Sequence, residues 1–525
     1  MSPAKRANGI CKKTWQLFRT LKYLRPKQIL YKIWYKIHRP SYTCYIAPDV
    51  PKRQFRYGFI CKPTSLTDEG FVFLNIPSVF KGWNDVSKGY LWTYNLNYMD
   101  YLLQPDLKAS DGAYWIDEFI ENIHNNKIGL NSYPIALRCI NWVKFFSIHP
   151  QEAHPNRMVH LYSQYKYLSG RLEYDLLGNH LLEDFFSLYI VASYFNDHGQ
   201  IERIEKKLLL ELEEEILPDG AHYEQSPMYH TILLDRLLDC INIRPTDSLR
   251  KYAIKMLGHL ESILWDDGTY PMFNDSAEGI GPPPNQIFKY AKELGLNWHI
   301  LPMKECGYRK MSSLVMSAFV DVGNITASYQ PGHSHADTFN YELRVGGKPF
   351  VVDTGITTYN KNERRQYERS TSAHNTVVVD GGNSSEMWSG FRVGKRANVE
   401  IIVDTPYVIK AKHDGFEKYV ARCFQMRGDS FDVLDSVEGE GVSYIHLAPG
   451  VVIVGQEDNQ IKTNIATIRI DGATVVNIVE GAVSKEYNKA ALSSIVEISF
   501  SNELLYSITN SRGDYGYNGK RPKVF

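Results

Sequence analysis

The stretch "YQPGHSHADTFNYEL", residues 329–343, sets two histidines, His333 and His335, two positions apart and follows them with Asp337. Imidazoles serve as general bases and as metal ligands near neutral pH. The stretch lies between two runs with strand character, "SSLVMSAFVDVGNITASY" and "FNYELRVGGKPFVVD". Further on, Asp353 in "VVDTGITTY" and His374 in "STSAHNTVVVD" fall at strand ends. One aspartate and two histidines suffice for a tetrahedral zinc ion whose fourth position is taken by water or another group. By spacing alone, His335, Asp353 and His374 read either as such a site or as ordinary loop residues.

Three further clusters carry more polarity than a core pattern needs. In "LLGNHLLED", Gly178 and Asn179 end a loop, and His180 and Glu183 lie one turn apart on the helix that follows. Asn179 reads as a functional amide or as a helix N-cap. "DGAHYEQSPMYH" packs Tyr223, Glu224, Gln225, Ser226, Tyr229 and His230 into a loop running into a helix. In "WDDGTYPMFNDSAEG", Asn274 and Asp275 follow a turn, which ordinary turn chemistry would explain.

The elements that must position these groups change type along the chain. "YWIDEFIENIHNN", "PIALRCINWVKFFSI", "HLLEDFFSLYIVASYF", "IERIEKKLLLELEEEIL", "YHTILLDRLLDCINI" and "LRKYAIKMLGHLESIL" repeat apolar residues at helical spacing. Short Gly, Pro, Asn or Asp loops separate them, and the helices come in successive pairs. This suits a bundle or an α/α toroid with a central cleft. From about residue 308 the period becomes two. "SLVMSAFVDV", "KPFVVDTG", "HNTVVVDGG", "ANVEIIVD", "YVIKAKHD", "DVLDSVEG", "TIRIDGATVVNIVEG" and "SIVEISFS" read as strands of a β-sandwich. The reading is an α+β multidomain chain. Residues 1–78 are a basic helical lead-in, 79–305 a helical domain and 306–525 a sandwich, with the ligand cleft between domains.

Bulk composition narrows the function classes. The chain has 525 residues, 43% hydrophobic and 22% charged, as for a globular protein. The 35 tyrosines and 9 tryptophans suit a carbohydrate or nucleotide groove or simply aromatic core packing. Net charge is zero, yet Asp49 is the only acid before residue 58. That basic segment is expected to touch an anionic membrane surface or a polyanionic glycan, or to pack as a solvated helix. Seven scattered cysteines without a CxxC spacing argue against a disulfide framework and a cysteine zinc site. No run is long and apolar enough for a transmembrane helix, and no signal peptide is seen. The expected location is cytoplasmic or peripheral to a membrane, with non-classical export the other route.

"LLGNHLLED", "DGAHYEQSPMYH", "GHSHADTFNYEL", "VVDTG" and "SAHNTVVVD", in that order, resemble the heparinase II/III-like polysaccharide lyases. The likeness covers about residues 80–400 by motif and the whole chain by architecture. It implies an incomplete (α/α) toroid followed by an antiparallel β-sandwich. It also implies β-elimination at a uronic acid: loss of the C5 proton, departure of O4 and a 4,5-unsaturated product. Asn179 would bind or neutralise the uronate carboxyl. His180 would assist it or act as base for one epimer. Tyr229 would be the acid or acid/base, its phenol lowered in pKa by cationic neighbours. His333 would be the other base. Arg138, Tyr223 and Gln225 would line subsites, and Glu183 would lie near the reacting sugar. His335, Asp353 and His374 would hold a structural zinc ion, with Asp337 a hydrogen-bond acceptor in the loop.

The resemblance implies an acidic polysaccharide as partner and no nucleic acid, and leaves the oligomeric state open. The basic start is similar to family members encoded beside bacterial polysaccharide assembly genes. That points to a self-made capsular or exopolysaccharide, with a glycosaminoglycan the other substrate class. Two competing expectations are a non-catalytic glycan-binding or assembly protein, and a glycoside hydrolase using Glu183 with Asp275.

Overall fold

The structure, a computed structural model, describes residues 14–511 apart from residues 39 and 458. Helices fill the first part and antiparallel sheets the second. The main helices of the first part are α1 (Pro26–Ile37), α2 (Tyr90–Tyr98), α3 (Ala109–Asn122), α4 (Ser132–Ile148), α5 (Pro155–Ser169), α6 (Asn179–Tyr194), α7 (His198–Glu215), α8 (Pro227–Ile243), α9 (Asp247–Ser262) and α10 (Pro284–Glu293). All six segments with helical periodicity are helices. Their starts follow capping chemistry: Asp197, Ser226 and Thr246 each accept a backbone N–H from the first turn of α7, α8 and α9. In α7 the buried Ile201, Ile204, Leu208 and Leu212 form one stripe, and the rest is mostly charged. In α6 and α8 nearly every residue is buried, so these two helices form the centre of the helical half.

The expected helical lead-in is helical only in part. Residues 14–21 and α1 are helices, but residues 66–78 form a small sheet of β1 (Leu66–Thr67), β2 (Gly70–Phe73) and β3 (Ile76–Ser78). The β2–β3 hairpin turns at Leu74 and Asn75, both at positive φ, which matches the twist of a two-residue hairpin loop. Its Phe71 and Phe73 alternate inward against Trp92 and Tyr101.

The second part has two main sheets. β4 (Tyr308–Ser312), β5 (Met316–Asp321), β6 (Tyr341–Val345) and β7 (Lys348–Val351) make a four-stranded meander. A nine-stranded sheet includes β8 (Val377–Val379) and, beyond a short β9–β10 pair (Met387–Trp388, Arg392–Val393), β11 (Val399–Asp404), β12 (Val408–His413), β13 (Val420–Arg427), β14 (Ser430–His446), β15 (Ile453–Glu457), β16 (Gln460–Thr463), β17 (Ala466–Glu486) and β18 (Lys489–Asn510). Residues from both sheets, Leu343 and Phe350 with Phe424, Val433 and Ile498 among them, share one apolar core.

The halves meet around the tip of the long β17–β18 hairpin. Tyr487 joins Met228, Tyr229, Ala277 and Ile356 in a small apolar cluster. Asn75 donates to the Tyr487 carbonyl at 2.9 Å, Asn488 to that of Leu74 at 2.9 Å, and Glu278 N–H to that of Lys485 at 2.6 Å.

Candidate active site

A cavity of about 1090 Å³ lies where the halves meet. Its wall includes Asn179, His180, Glu183, Tyr229 and His333, together with Tyr94, Tyr98 and Tyr133. Asn179, His180 and Glu183 come from the first turns of α6. Leu177 and Gly178 precede the helix at φ +65° and +63°. Gly178, not Asn179, is the N-cap, so the capping reading of Asn179 does not hold. A Cβ on Gly178 would stand 2.6 Å from Glu224 Oε1, so glycine is required for conformation and for space. The buried Asn179 Oδ1 has no hydrogen-bond partner. The Asn179 backbone N–H donates to Glu224 Oε1 at 3.0 Å.

His180 pairs through Nδ1 with Glu173 at 3.1 Å and packs its ring 4.7 Å from Tyr133. Burial pulls its pKa down, but Glu173 outweighs burial and holds it above the usual value. Tyr229 sits in the first turn of α8, where Ser226 accepts its N–H. Its ring lies 4.0 Å from that of His333. Its hydroxyl is 3.2 Å from that of Tyr359, which is 3.5 Å from His333 Nδ1. Burial pushes the Tyr229 phenol far up, and Asp275 and Glu224 add to this against Tyr359 and Arg365. The expected lowering is therefore corrected: the phenol keeps its proton.

His333 is held by Asp275, whose Oδ2 is 2.9 Å from His333 Nδ1. His333 Nε2 lies 3.6 Å from Glu224 Oε2. Asp275 Oδ1 is 2.8 Å from His335 Nε2, and Arg365 clamps both oxygens from the other side. Burial favours the neutral Asp275 carboxyl, but Arg365 and the two histidines hold it well below the carboxylate range. The turn that carries Asp275 also grips the histidine loop: Asn274 Oδ1 accepts the His335 N–H at 2.9 Å, and the His333 carbonyl accepts the Asp275 N–H at 3.1 Å. Arg369 donates to the Ser334 carbonyl from the far side. Sequence reasoning passed over Arg365 and Tyr359 and took Asp275 for turn chemistry or for a hydrolase carboxylate. Asp275 is sealed by its four bonds and does not line the cavity, so a hydrolase pair with Glu183 has no geometric basis.

Glu183 does face the cavity, 3.3 Å from Arg236. Burial drives its carboxyl up to about 7, against the pull of Arg236 and Lys62. The other three expected subsite residues stand elsewhere. Arg138 is fully buried, and its guanidinium donates to Gln164 Oε1 and to the carbonyls of Asn97 and Gly129. It braces the helical core. Gln225 ties its loop to the carbonyls of Cys306 and Asn324 and to the Thr326 N–H. Tyr223 is buried beside Tyr329 and outside the cavity wall.

His374 Nδ1 is 2.8 Å from Asp353 Oδ2, and the His374 ring is 5.2 Å from that of His335. His335 Nδ1, His374 Nε2 and Asp337 Oδ2 are buried without hydrogen-bond partners. Burial raises the Asp337 carboxyl to about 6, with His374 opposing and Asp353 adding. Among the described residues, two other groups bring three ligand atoms within 4.8 Å: Asp219 with His259 and Cys306, and Glu215 with His222 and Glu224. The expected trio is not one of these groups: His374 turns Nδ1 to Asp353, while His335 gives Nε2 to Asp275. No helix among the described residues is long and apolar enough to cross a membrane.

Comparison with known proteins gives a consistent family. The Heparinase II/III N-terminus family matches residues 151–292, and the Heparinase II/III-like, C-terminal family matches residues 296–514. A heparin-sulfate lyase of Bacteroides stercoris is 23% identical over 276 residues, 46% of this chain and 41% of its own length. One from Pedobacter heparinus is 28% identical over 259 residues, 42% of this chain and 38% of its own. The chain thus matches about two fifths of the length of these relatives. Among solved structures, a heparinase III superposes with a TM-score of 0.64 at 14% identity, covering 93% of this chain and 91% of its own. A heparan sulfate lyase from Pedobacter heparinus gives 0.55 at 18% identity, covering 84% and 79%. These structural likenesses speak to the fold.

Proposed function

We propose that this chain, which belongs to the heparinase II/III-like family, is a polysaccharide lyase that cleaves an acidic, uronate-containing glycan by β-elimination. We read its helical half as an incomplete (α/α) toroid and its β half as a sandwich. The observation that carries the proposal is the meeting of Tyr229 and His333, rings 4.0 Å apart, on the cavity that Asn179 and His180 also line. The lyase names of the curated relatives support it.

In this reading the uronate carboxylate sits against the N-terminus of α6, where helix dipole, free Asn179 amide and His180, biased by Glu173 towards its protonated form, favour an anion. That neutralisation lets charge build up as C5 loses its proton. With Nδ1–H donated to Asp275, His333 Nε2 takes the C5 proton. The imidazolium that forms is flanked by Asp275 and Glu224. The C5 electron pair forms the C4–C5 double bond as the C4–O4 bond breaks. Tyr229, kept protonated by burial, gives its proton to O4. Tyr94, Tyr98 and Tyr133 offer ring faces to neighbouring sugars. Glu183 lies near the reacting sugar.

We also infer a structural zinc ion at His335, Asp353 and His374. The unpartnered, buried His335 Nδ1 and His374 Nε2 support it, with the Asp353 carboxylate held at His374 Nδ1. Such an ion would cross-link the loop that carries His333.

The test is ultraviolet absorbance of the conjugated 4,5-unsaturated product, with purified protein and a panel of uronate glycans that includes bacterial capsular polymers. Wild type is expected to give product, and Tyr229→Phe and His333→Ala to lower kcat by roughly 10²–10⁴-fold. Glycan binding without product on every polymer would favour a non-catalytic binding or assembly protein.

A further inference from the structure

Helix α1 is turned inside out. Its polar side faces the protein: Gln28 donates to the carbonyls of Leu176 and Tyr329 at 3.0 and 3.2 Å. Tyr31 packs 4.7 Å from Tyr174, Lys27 lies over the same Tyr174 ring, and Arg25 pairs with Glu214. Its apolar side faces solvent. Leu30, Ile33, Trp34 and Ile37 follow the spacing i, i+3, i+4, i+7 and are 66%, 54%, 51% and 78% exposed. A helix of a globular protein buries such a stripe. Trp15 and Phe18, in the helical residues 14–21, extend the apolar surface and are also exposed.

Exposed lysines surround this stripe: Lys22, Lys27, Lys32 and Lys36. Among the described residues, Lys32 and Lys36 form no ion pair. Residues 1–57 contain fourteen lysines and arginines against the single acid Asp49. We propose that this face docks on an anionic phospholipid surface. Leucine, isoleucine and tryptophan enter the headgroup–acyl boundary while lysines stay at the anionic headgroups. A soluble acidic polymer would engage the lysines and leave Leu30, Trp34 and Ile37 in water. A second copy would set two basic faces against each other. The face borders the cavity, whose wall includes Ile29, Lys32, Ile33 and Lys36, so docking would hold the cavity beside the membrane.

The test is cosedimentation of the full chain with phosphatidylcholine vesicles, with and without phosphatidylglycerol. Binding is expected only with phosphatidylglycerol, weakened by salt. It should fall about tenfold or more in the triple variant Leu30→Gln, Trp34→Gln, Ile37→Gln, with circular dichroism unchanged. None of these three residues lines the cavity, so cleavage of a soluble glycan should stay at the wild-type rate. Four outcomes overturn the proposal: no vesicle binding by wild type; equal binding by the triple variant; a wild-type dimer that the variant dissociates; and binding that emerges only when residues 1–13 are removed. Sedimentation does not depend on catalysis, so these outcomes leave the lyase reading untouched.

Discussion

At Asp275 two demands meet on one carboxylate: Oδ2 orients His333 and Oδ1 holds His335. It is a positioning residue, reaching the substrate only through His333. Asp275→Asn should lower kcat by about 10²–10⁴-fold, as expected when the partner of a general base is lost, and should leave KM nearly unchanged. It should also destabilise the fold by roughly 3–5 kcal/mol, because Arg365 loses its charge partner in a buried setting. Steady-state kinetics and a thermal melt check both. Little in the sequence marked this residue. "FNDS" looks like any turn, and Arg365 is 90 positions away in a run of charges, "NERRQYER", with no local pattern that ties it to Asp275. Arg138 misled in the opposite sense: the family resemblance implied a subsite, while its partners Gln164, Asn97 and Gly129 hold it inside the helical core. Glu183 has a pH signature. Burial lifts its carboxyl from the usual 4.5 to about 7, so the folded state holds this proton more tightly than the unfolded chain. Its contribution is fully present below pH 4.5 and is lost as pH rises through about 7. The loss is about 3 kcal/mol. Glu183→Gln lacks that loss, so melts of the two proteins should converge or cross as pH rises through this window.

Helix α6 shows what an element adds. Its periodicity was plain in the sequence, but its start was not. The left-handed pair Leu177–Gly178 places the cap one residue earlier and frees the Asn179 side chain. Gly178→Ala would force a Cβ against Glu224 and a strained φ. The expected result is a loss of ~1–3 kcal/mol in stability and a fall in kcat/KM of about tenfold or more, since α6 carries both Asn179 and His180. Circular dichroism and kinetics on uronate glycans test it. Helices α2, α5 and α10 escaped the periodicity reading. In α5, "PNRMVHLYSQYKYLS", the buried face includes Arg157, His160, Ser163 and Gln164, so polar residues interrupt the apolar repeat. The strands were easier, because β12 and β13 alternate buried and half-exposed residues along their length.

At the scale of the whole molecule, two halves with separate cores share one cavity, and the order helices-then-strands was legible from the change of period. Which groups converge there was not, because convergence is set by contacts between residues a hundred or more positions apart, such as Tyr229 with Tyr359. The inferred zinc ion belongs to this scale, since it would join the histidine loop to the ends of β7 and β8. Exhaustive dialysis against a chelator should lower Tm and cleavage together, and zinc should restore both. His374→Ala should already melt lower and should not respond to the chelator.

The hairpin tip at Lys485–Asn488 has a consequence for the chain's covalent integrity. It grips Leu74, Asn75 and Glu278 of the helical half by four hydrogen bonds and an apolar plug. A protease that severed the connection between α10 and β4 would yield two polypeptides on a denaturing gel. It would still yield one particle on a native column, because the clasp does not run through the severed peptide.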